Sequence, residues 1–332
     1  MAPLASIVQS TSSKPSKFTS FEKPASIHMD VETKKTPDFI RDLNLSVNSL
    51  AKSYDYCQKV ASAQARNFYW SFRLLPRAHR LSMCALYAFM RVTDDIADDP
   101  RPAIDRAEAL DIWQMQLNEH LDGNPNSTTA WQGFPALVET VRRHHIPRQY
   151  LIAVIDGMRM DLNAVRIQTE SEFDQYCWHV ASAVGLCCIH IWGFQSCGGR
   201  AEKAAEMLGL AFQRTNILRD IAEDYANNRI YLPASLMTQY GIHFHELGLP
   251  TATDPLKALV KNQVAIARTQ YRNADELQSM VSQEGRPMLR AISRIYESVL
   301  NRIEILDFDV ITHRARVPKW QKAAIMTYSM FR

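Results

Sequence analysis

The sequence predicts an all-α fold arranged as a single helical domain. Long segments repeat apolar residues at helical spacing. Only 11 glycines interrupt 332 residues, and the Gly/Asn pairs that mark tight hairpins are few. The length admits one large domain or two ordinary ones, and the absence of an internal repeat or a long linker favours one.

The elements follow in chain order. Residues 1–45 are rich in Ser, Thr, Lys and Pro and hold few large apolar side chains before Phe39. They are expected to form a disordered tail, since too little surface is available to offset ordering. The start is hydroxyl-rich and acid-poor, as in a transit peptide, but holds no arginine before Arg41, which counts against targeting. The domain proper is expected over 46–332. Two helices should break near Pro76, and Pro100 and Pro102 should close the second, because proline cannot continue an interior turn. Ala109, Ile112, Leu117 and Leu121 give the next helix an apolar face, and "DGNPNS" at 122–127 is a loop. After the break at "HHIP" (144–147), helical runs are expected over 148–165 and 172–195. A long helix covers 201–227 and ends at "YANNR". Helices over 256–282 and 285–306 complete the body.

Composition excludes several classes. With 38 Lys+Arg against 35 Asp+Glu, and no Lys/Arg-dense stripe with interleaved aromatics, a dedicated nucleic-acid binder is not expected. The six cysteines form no C-x-x-C pair, and Cys187 and Cys188 read as small buried hydrophobes in a reducing, cytoplasmic setting. The apolar run Val180 to Phe194 falls short of the ~20 residues needed to span a bilayer.

Charge patterning supplies the functional signal. Arg91 to Pro100 reads "RVTDDIADDP", and Gln213 to Pro233 reads "QRTNILRDIAEDYANNRIYLP". Asp94 and Asp98 are i,i+4 on a helix, as are Asp220 and Asp224, so each pair shares a face. Such pairs repel by roughly 0.2–0.5 kcal/mol, and buried charge needs a partner. Arg91 and Arg219 stand beside the two pairs, and Gln213 and Asn216 lie close to the second stripe. A solvated acidic face explains either cluster alone. Two matched clusters on apolar helices point to Mg²⁺, which takes oxygen ligands and bridges carboxylates to substrate phosphates, with Mn²⁺ as a substitute.

These stretches resemble the squalene/phytoene synthase family of head-to-head prenyl synthases. The resemblance runs through "CQK" (57–59), "RNFYWSFRLLP" (66–76), "YAFMRVTDDIADD" (87–99), "IDGMRMDL" (155–162), "YCWHVASAVG" (176–185), "NILRDIAEDYANNRIYLP" (216–233) and "RIY" (294–296). It implies an isoprenoid-synthase helical bundle around a central cavity, and Mg²⁺-dependent joining of two prenyl diphosphates. One substrate ionises to an allylic cation, and the alkene of the second attacks it to give a cyclopropylcarbinyl diphosphate. By the same resemblance the metal ligands are Asp94, Asp98, Asn216, Asp220 and Asp224. Diphosphate and metal-site contacts fall on Arg91, Gln213, Arg219, Arg229, Tyr231, Tyr296 and Arg314, with Arg316 competing for the last place. Tyr87 and Tyr176 match positions near the reacting carbons, and Phe68, Val180, Val184 and Gly185 match the tunnel wall. Plain core packing is the competing explanation for these apolar and aromatic positions. Before Phe68 the chain departs from the pattern, with "QARNF" where small hydroxylated residues are common. Arg66 and Asn67 could still donate there. Asp95 and Asp99 are extra acids, expected beside the metal shell or in solvent.

The motifs look most like bacterial presqualene diphosphate synthases, which join two farnesyl diphosphates on hopanoid or C30 carotenoid routes. Phytoene synthase, joining two geranylgeranyl diphosphates, is the alternative. A head-to-tail prenyltransferase or terpene cyclase, or a silent helical scaffold, is the more distant one. No dinucleotide fingerprint accompanies the fold, so NADPH use stays open, as do partnerships with downstream isoprenoid enzymes. The C-terminal "RARVPKWQKAAIMTYSMFR" mixes cations with Trp320, Ile325, Met326 and Phe331. It reads either as a peripheral membrane contact or as an amphipathic helix packed on the body.

Overall fold

The computed structural model describes residues 38–64, 69, 71–124 and 131–331. Arg66, Asn67 and Phe68, and the tail before residue 38, lie outside the described residues. Helix α1 spans Asp38–Gln64, so its first turns precede residue 46, where the catalytic domain is expected to begin. A 3-10 turn at Phe72–Leu74 leads to α2 (Arg77–Ala97), α3 (Ala103–Leu121), α4 (Phe134–Arg143) and α5 (Arg148–Met160). Pro76, Pro102 and Pro147 stand at the N-caps of α2, α3 and α5, where a missing backbone N–H costs least.

The expected helix over 172–195 is a composite. Helix α6 (Glu170–Cys177) starts at Thr169, whose side chain accepts from the Glu172 backbone N–H at 3.2 Å. It passes into a π-helical segment at Trp178–Ser182 and then α7 (Ala183–Trp192). Such wide turns recur at functional sites. This one is gripped from two sides. A Cβ on Gly157 of α5 would stand 2.8 Å from Val180 Cγ1, and one on Gly209 would stand 2.5 Å from Ser182 Cα. Glycine is what permits both approaches.

Gly209 belongs to α8 (Arg200–Ala226), the central helix, flanked by α7 and the π-helical segment on one side and α10 (Asp254–Ala274) on another. Its N-terminal half buries Ala201, Ala204, Ala205, Leu208 and Ala211, and its C-terminal half buries Arg219, Asp220 and Asp224. It ends as "YANNR" predicts. Asn228 adopts φ +57°, and the Arg229 N–H returns to Asp224 O at 2.8 Å. After α9 (Ala234–Gln239) and α10 come the short α11 (Leu277–Met280), α12 (Arg286–Ile305) and α13 (Lys319–Met330). The predicted helix over 256–282 therefore breaks after Ala274, and that over 148–165 stops at Met160. The latter stop exposes an unforeseen feature: Asp161 is a C-cap, not a mid-helix residue.

An aromatic cluster fixes the roll of α2. Trp113 of α3 stacks on Phe89 with centroids 5.7 Å apart, and its Nε1 donates to the buried Thr93 hydroxyl at 2.9 Å. Thr93 and Asp94 are neighbours, so the contact aims the acidic face away from this cluster. Arg106 spans Ala97 O (2.5 Å) and Leu162 O (2.7 Å), tying the end of α2 to the chain just past α5.

Candidate active site

Two aspartate-bearing helix ends and the C-terminal segment contribute the polar site. On α2, Asp94 is buried and Asp98, the C-cap, is half-exposed. Arg91 reaches Asp94 Oδ2 at 3.2 Å and also holds Asp95. The guanidinium stays charged despite burial because both carboxylates favour the cation. Asp95 is therefore more than an extra acid, since it steadies Arg91. Asp99 faces outward onto Arg101.

On α8, Asp220 is enclosed by two guanidinium groups. Arg219 binds it through Nε at 2.8 Å and through Nη2, while Arg314 reaches Oδ1 at 2.8 Å and Glu223 Oε2 at 2.6 Å. Of the two arginines, Arg314 is the one that reaches Asp220, and Arg316 is exposed. Asn216 and Gln213 are buried one and two turns away, where Asn216 Nδ2 donates to Gln213 Oε1 at 3.3 Å and to the Tyr296 hydroxyl at 3.4 Å. Lys322 of α13 enters the same region. Burial lowers its pKa first, and the neighbouring Arg219 and Lys319 charges lower it further. The sequence reading placed Lys322 in an amphipathic tail and missed this role.

The two faces meet through Arg229, whose Nη2 donates to Asp98 Oδ1 at 3.0 Å across 131 residues of sequence. Asp224, Arg229 and Tyr231 line one small cleft. Beneath it, Tyr176 and Tyr231 stack with centroids 4.8 Å apart, and both hydroxyls donate to Asp161, at 3.1 and 3.0 Å. Asp161 lies in "IDGMRMDL" with no acidic partner at helical spacing, so its place here has no local signal. Tyr87 is buried against Phe72, and burial pushes its hydroxyl pKa up to about 12.

Burial, and then the Asp220 charge, push the Asp224 carboxyl up to about 8. At neutral pH it keeps a proton that a divalent cation would displace, so this donor set suits such a cation. Among the described residues no group of three or more His, Cys, Asp or Glu side chains converges as a metal site by itself. A complete shell on these faces would draw further oxygens from water or a diphosphate, as Mg²⁺ commonly does.

Behind the polar site lies a narrow apolar pocket, lined by Val184, Gly185, Cys188, Trp192, Phe212 and Tyr296 among others. Tyr296 joins the two regions, stacking on Phe212 at 4.2 Å while accepting from Asn216. Val184 and Gly185, which the resemblance assigns to a tunnel wall, both line this pocket. Val180, assigned to the same wall, is fully buried against Gly157 of α5. The π-helical turn rolls it toward α5.

Comparison with known proteins decides the family. The squalene/phytoene synthase model matches residues 61–321. The chain belongs to the squalene/phytoene synthase family. It is 32 % identical to the 15-cis-phytoene synthase of Synechococcus elongatus over 86 % of this chain and 94 % of that protein. It is 33 % identical to the chloroplastic phytoene synthase of Daucus carota over 91 % and 77 %. A dehydrosqualene synthase crystal structure matches with a TM-score of 0.75 and 26 % identity, covering 86 % and 97 %. Squalene synthase HpnC from Alicyclobacillus acidocaldarius shares the fold, with a TM-score of 0.72 and 24 % identity over 79 % and 98 %. This squalene/phytoene synthase family member is accordingly an all-α prenyltransferase.

Proposed function

We propose that this chain joins two geranylgeranyl diphosphates head to head and carries the product on to phytoene. The likeness to phytoene synthases carries the choice of chain length: identity is 32 and 33 % to two of them over most of this chain. It favours C20 substrates over the farnesyl route that the motifs suggest by themselves.

The chemistry follows from the arrangement. Asp94, Asp98, Asn216, Asp220 and Asp224 would hold Mg²⁺, which when bound supplies positive charge to a departing diphosphate. Arg91, Arg219, Arg229 and Arg314 add fixed positive charge around the same place, stabilising charge as it develops on the leaving group. The C1–O bond of the first substrate breaks, its electrons leaving with diphosphate. The double bond of the second substrate then forms the new C–C bond, and loss of a proton closes the cyclopropane. Ring faces of Tyr87, Tyr176 and Tyr231 attract the cation, and the apolar cavity keeps water from quenching it. Loss of the second diphosphate and a second proton gives phytoene, with no hydride required.

The test is product mass spectrometry after incubation with Mg²⁺ and either geranylgeranyl or farnesyl diphosphate, with and without NADPH. The expected result is a C40 hydrocarbon from the C20 substrate, formed equally without NADPH. Preference for farnesyl diphosphate would support the second reading, a presqualene or dehydrosqualene route, which the TM-score of 0.75 to a dehydrosqualene synthase favours.

We also infer a peripheral membrane contact at α13. The helix packs on α12, with Arg294 over the Tyr328 ring at 4.5 Å, yet Trp320, next to Lys319 in sequence, and Phe331 remain 73 and 82 % exposed. No helix among the described residues is long and apolar enough to cross a membrane.

A further inference from the structure

Asp161 is a buried carboxylate that no step above uses. It is 4 % exposed and accepts the Tyr176 hydroxyl on Oδ2 and the Tyr231 hydroxyl on Oδ1. Burial pushes its pKa up, against the pull of the Arg229 charge and the two tyrosine hydrogen bonds. A buried acid is a poor way to fill a core, because an apolar residue of the same size packs as well without desolvation.

Three separate stretches of chain converge on it. The Ile230 N–H donates to Val165 O at 3.0 Å and the Ala234 N–H to Ile167 O at 2.9 Å, which brings Tyr231 alongside. Helix α6 supplies Tyr176. Arg106 ties the neighbouring Leu162 carbonyl to the end of α2, beside Asp98. The carboxylate is thus registered to both aspartate faces.

We propose that Asp161 is a positioning residue for the condensation, holding both hydroxyl protons of the Tyr176–Tyr231 pair so that the pair meets substrate as an electron-rich surface. A phenol has one proton to donate, and once that proton is committed its oxygen offers only lone pairs. Lone pairs and ring faces attract an allylic cation and repel a diphosphate. The pair is therefore set to favour the carbon cation, and the diphosphate is left to the arginines and aspartates. This assigns Tyr231 a different part from the diphosphate contact that family resemblance implies. It rests on the reading of the site as one that condenses prenyl diphosphates.

The experiment is steady-state kinetics of Asp161→Asn with geranylgeranyl and farnesyl diphosphate, alongside inhibition by inorganic pyrophosphate. An amide at this position donates as well as accepts, so one phenol proton is released toward substrate. The expected result is a fall in kcat of about 10- to 100-fold, with KM and the pyrophosphate inhibition constant held within about twofold. Tyr231→Phe with Asp161 intact should show the same split, which keeps the test open if Asp161→Asn fails to fold. In a Tyr176→Phe/Tyr231→Phe background, Asp161→Asn should cost less than about twofold more, because its effect passes through the tyrosines. Unchanged kcat, a parallel rise in KM and the pyrophosphate constant, or an equal loss in the tyrosine-free background would each overturn the role of Asp161 alone. Failure of the wild-type protein to release diphosphate from either substrate would overturn the condensation reading, and this inference with it.

Discussion

The Arg314 guanidinium donates to the Asp220 carboxylate at 2.8 Å across 94 residues of sequence. This contact places the segment after α12 at the acidic end of α8 and makes it part of the site. Arg314→Gln leaves Asp220 with Arg219 alone, so the loss should be about 1.5–3 kcal/mol for one hydrogen-bonded charge pair. Thermal unfolding should fall by a few degrees, and turnover should fall by more than tenfold. Arg316→Gln, two residues on and exposed, should change neither. Equal effects from the two substitutions would contradict the assignment.

Asp224 gives a pH dependence whose sign is fixed by its raised pKa. The folded protein binds a proton that the unfolded chain releases above about pH 4. Its contribution is therefore fully present below the unfolded value and is lost as pH rises through about 8. Asp224→Asn should raise the metal-free unfolding temperature at pH 8 while abolishing turnover, a trade of function for stability. Calorimetry of the two proteins between pH 5 and 8.5 checks this; a lower unfolding temperature for the variant at pH 8 would refute it.

The two glycines at the π-helical turn and cavity make contrasting predictions. Gly209→Ala forces α8 off Ser182, where the new Cβ would stand 2.5 Å from Cα, and should cost about 1–3 kcal/mol as overpacking. Gly185→Ala meets only Ala205 O, at 3.5 Å, and should be neutral or gain up to about 1 kcal/mol from helix propensity. Urea denaturation midpoints distinguish them.

The α13 face predicts vesicle binding. Trp320→Ser combined with Phe331→Ser should lower co-sedimentation with anionic liposomes several-fold, while turnover of detergent-dispersed substrate stays at the wild-type level. Deleting 317–332 is the poorer test, since it also removes Lys322 from beside Arg219. Undiminished sedimentation of the double variant would leave α13 simply packed on the body.

Much of this site is legible in the sequence because its signals are local. Asp94/Asp98 and Asp220/Asp224 share faces by helical spacing alone, and "YANNR" announces the stop that delivers Arg229. What spacing does not carry are the pairings over long separations. Arg229 with Asp98, Arg314 rather than Arg316 with Asp220, and two tyrosines on Asp161 all depend on tertiary packing. Asp161 was further hidden by a helix expected to run on to 165, since nothing in "RMDLNAV" breaks the pattern strongly. The π-helical turn at Trp178–Ser182 was equally hidden, since apolar periodicity has no mark for such a turn.

The central claim is that the two distant aspartate pairs act as one metal–diphosphate site. Its most direct test is turnover of geranylgeranyl diphosphate against Mg²⁺ concentration by wild type, Asp94→Asn, Asp220→Asn and the double variant, with helical circular dichroism as the fold control. Each single variant should lose at least about a hundredfold in turnover with its helical signal intact, and the double variant should be little worse than either, as for residues acting as a unit. Activity within a few-fold of wild type in either single variant would contradict the claim.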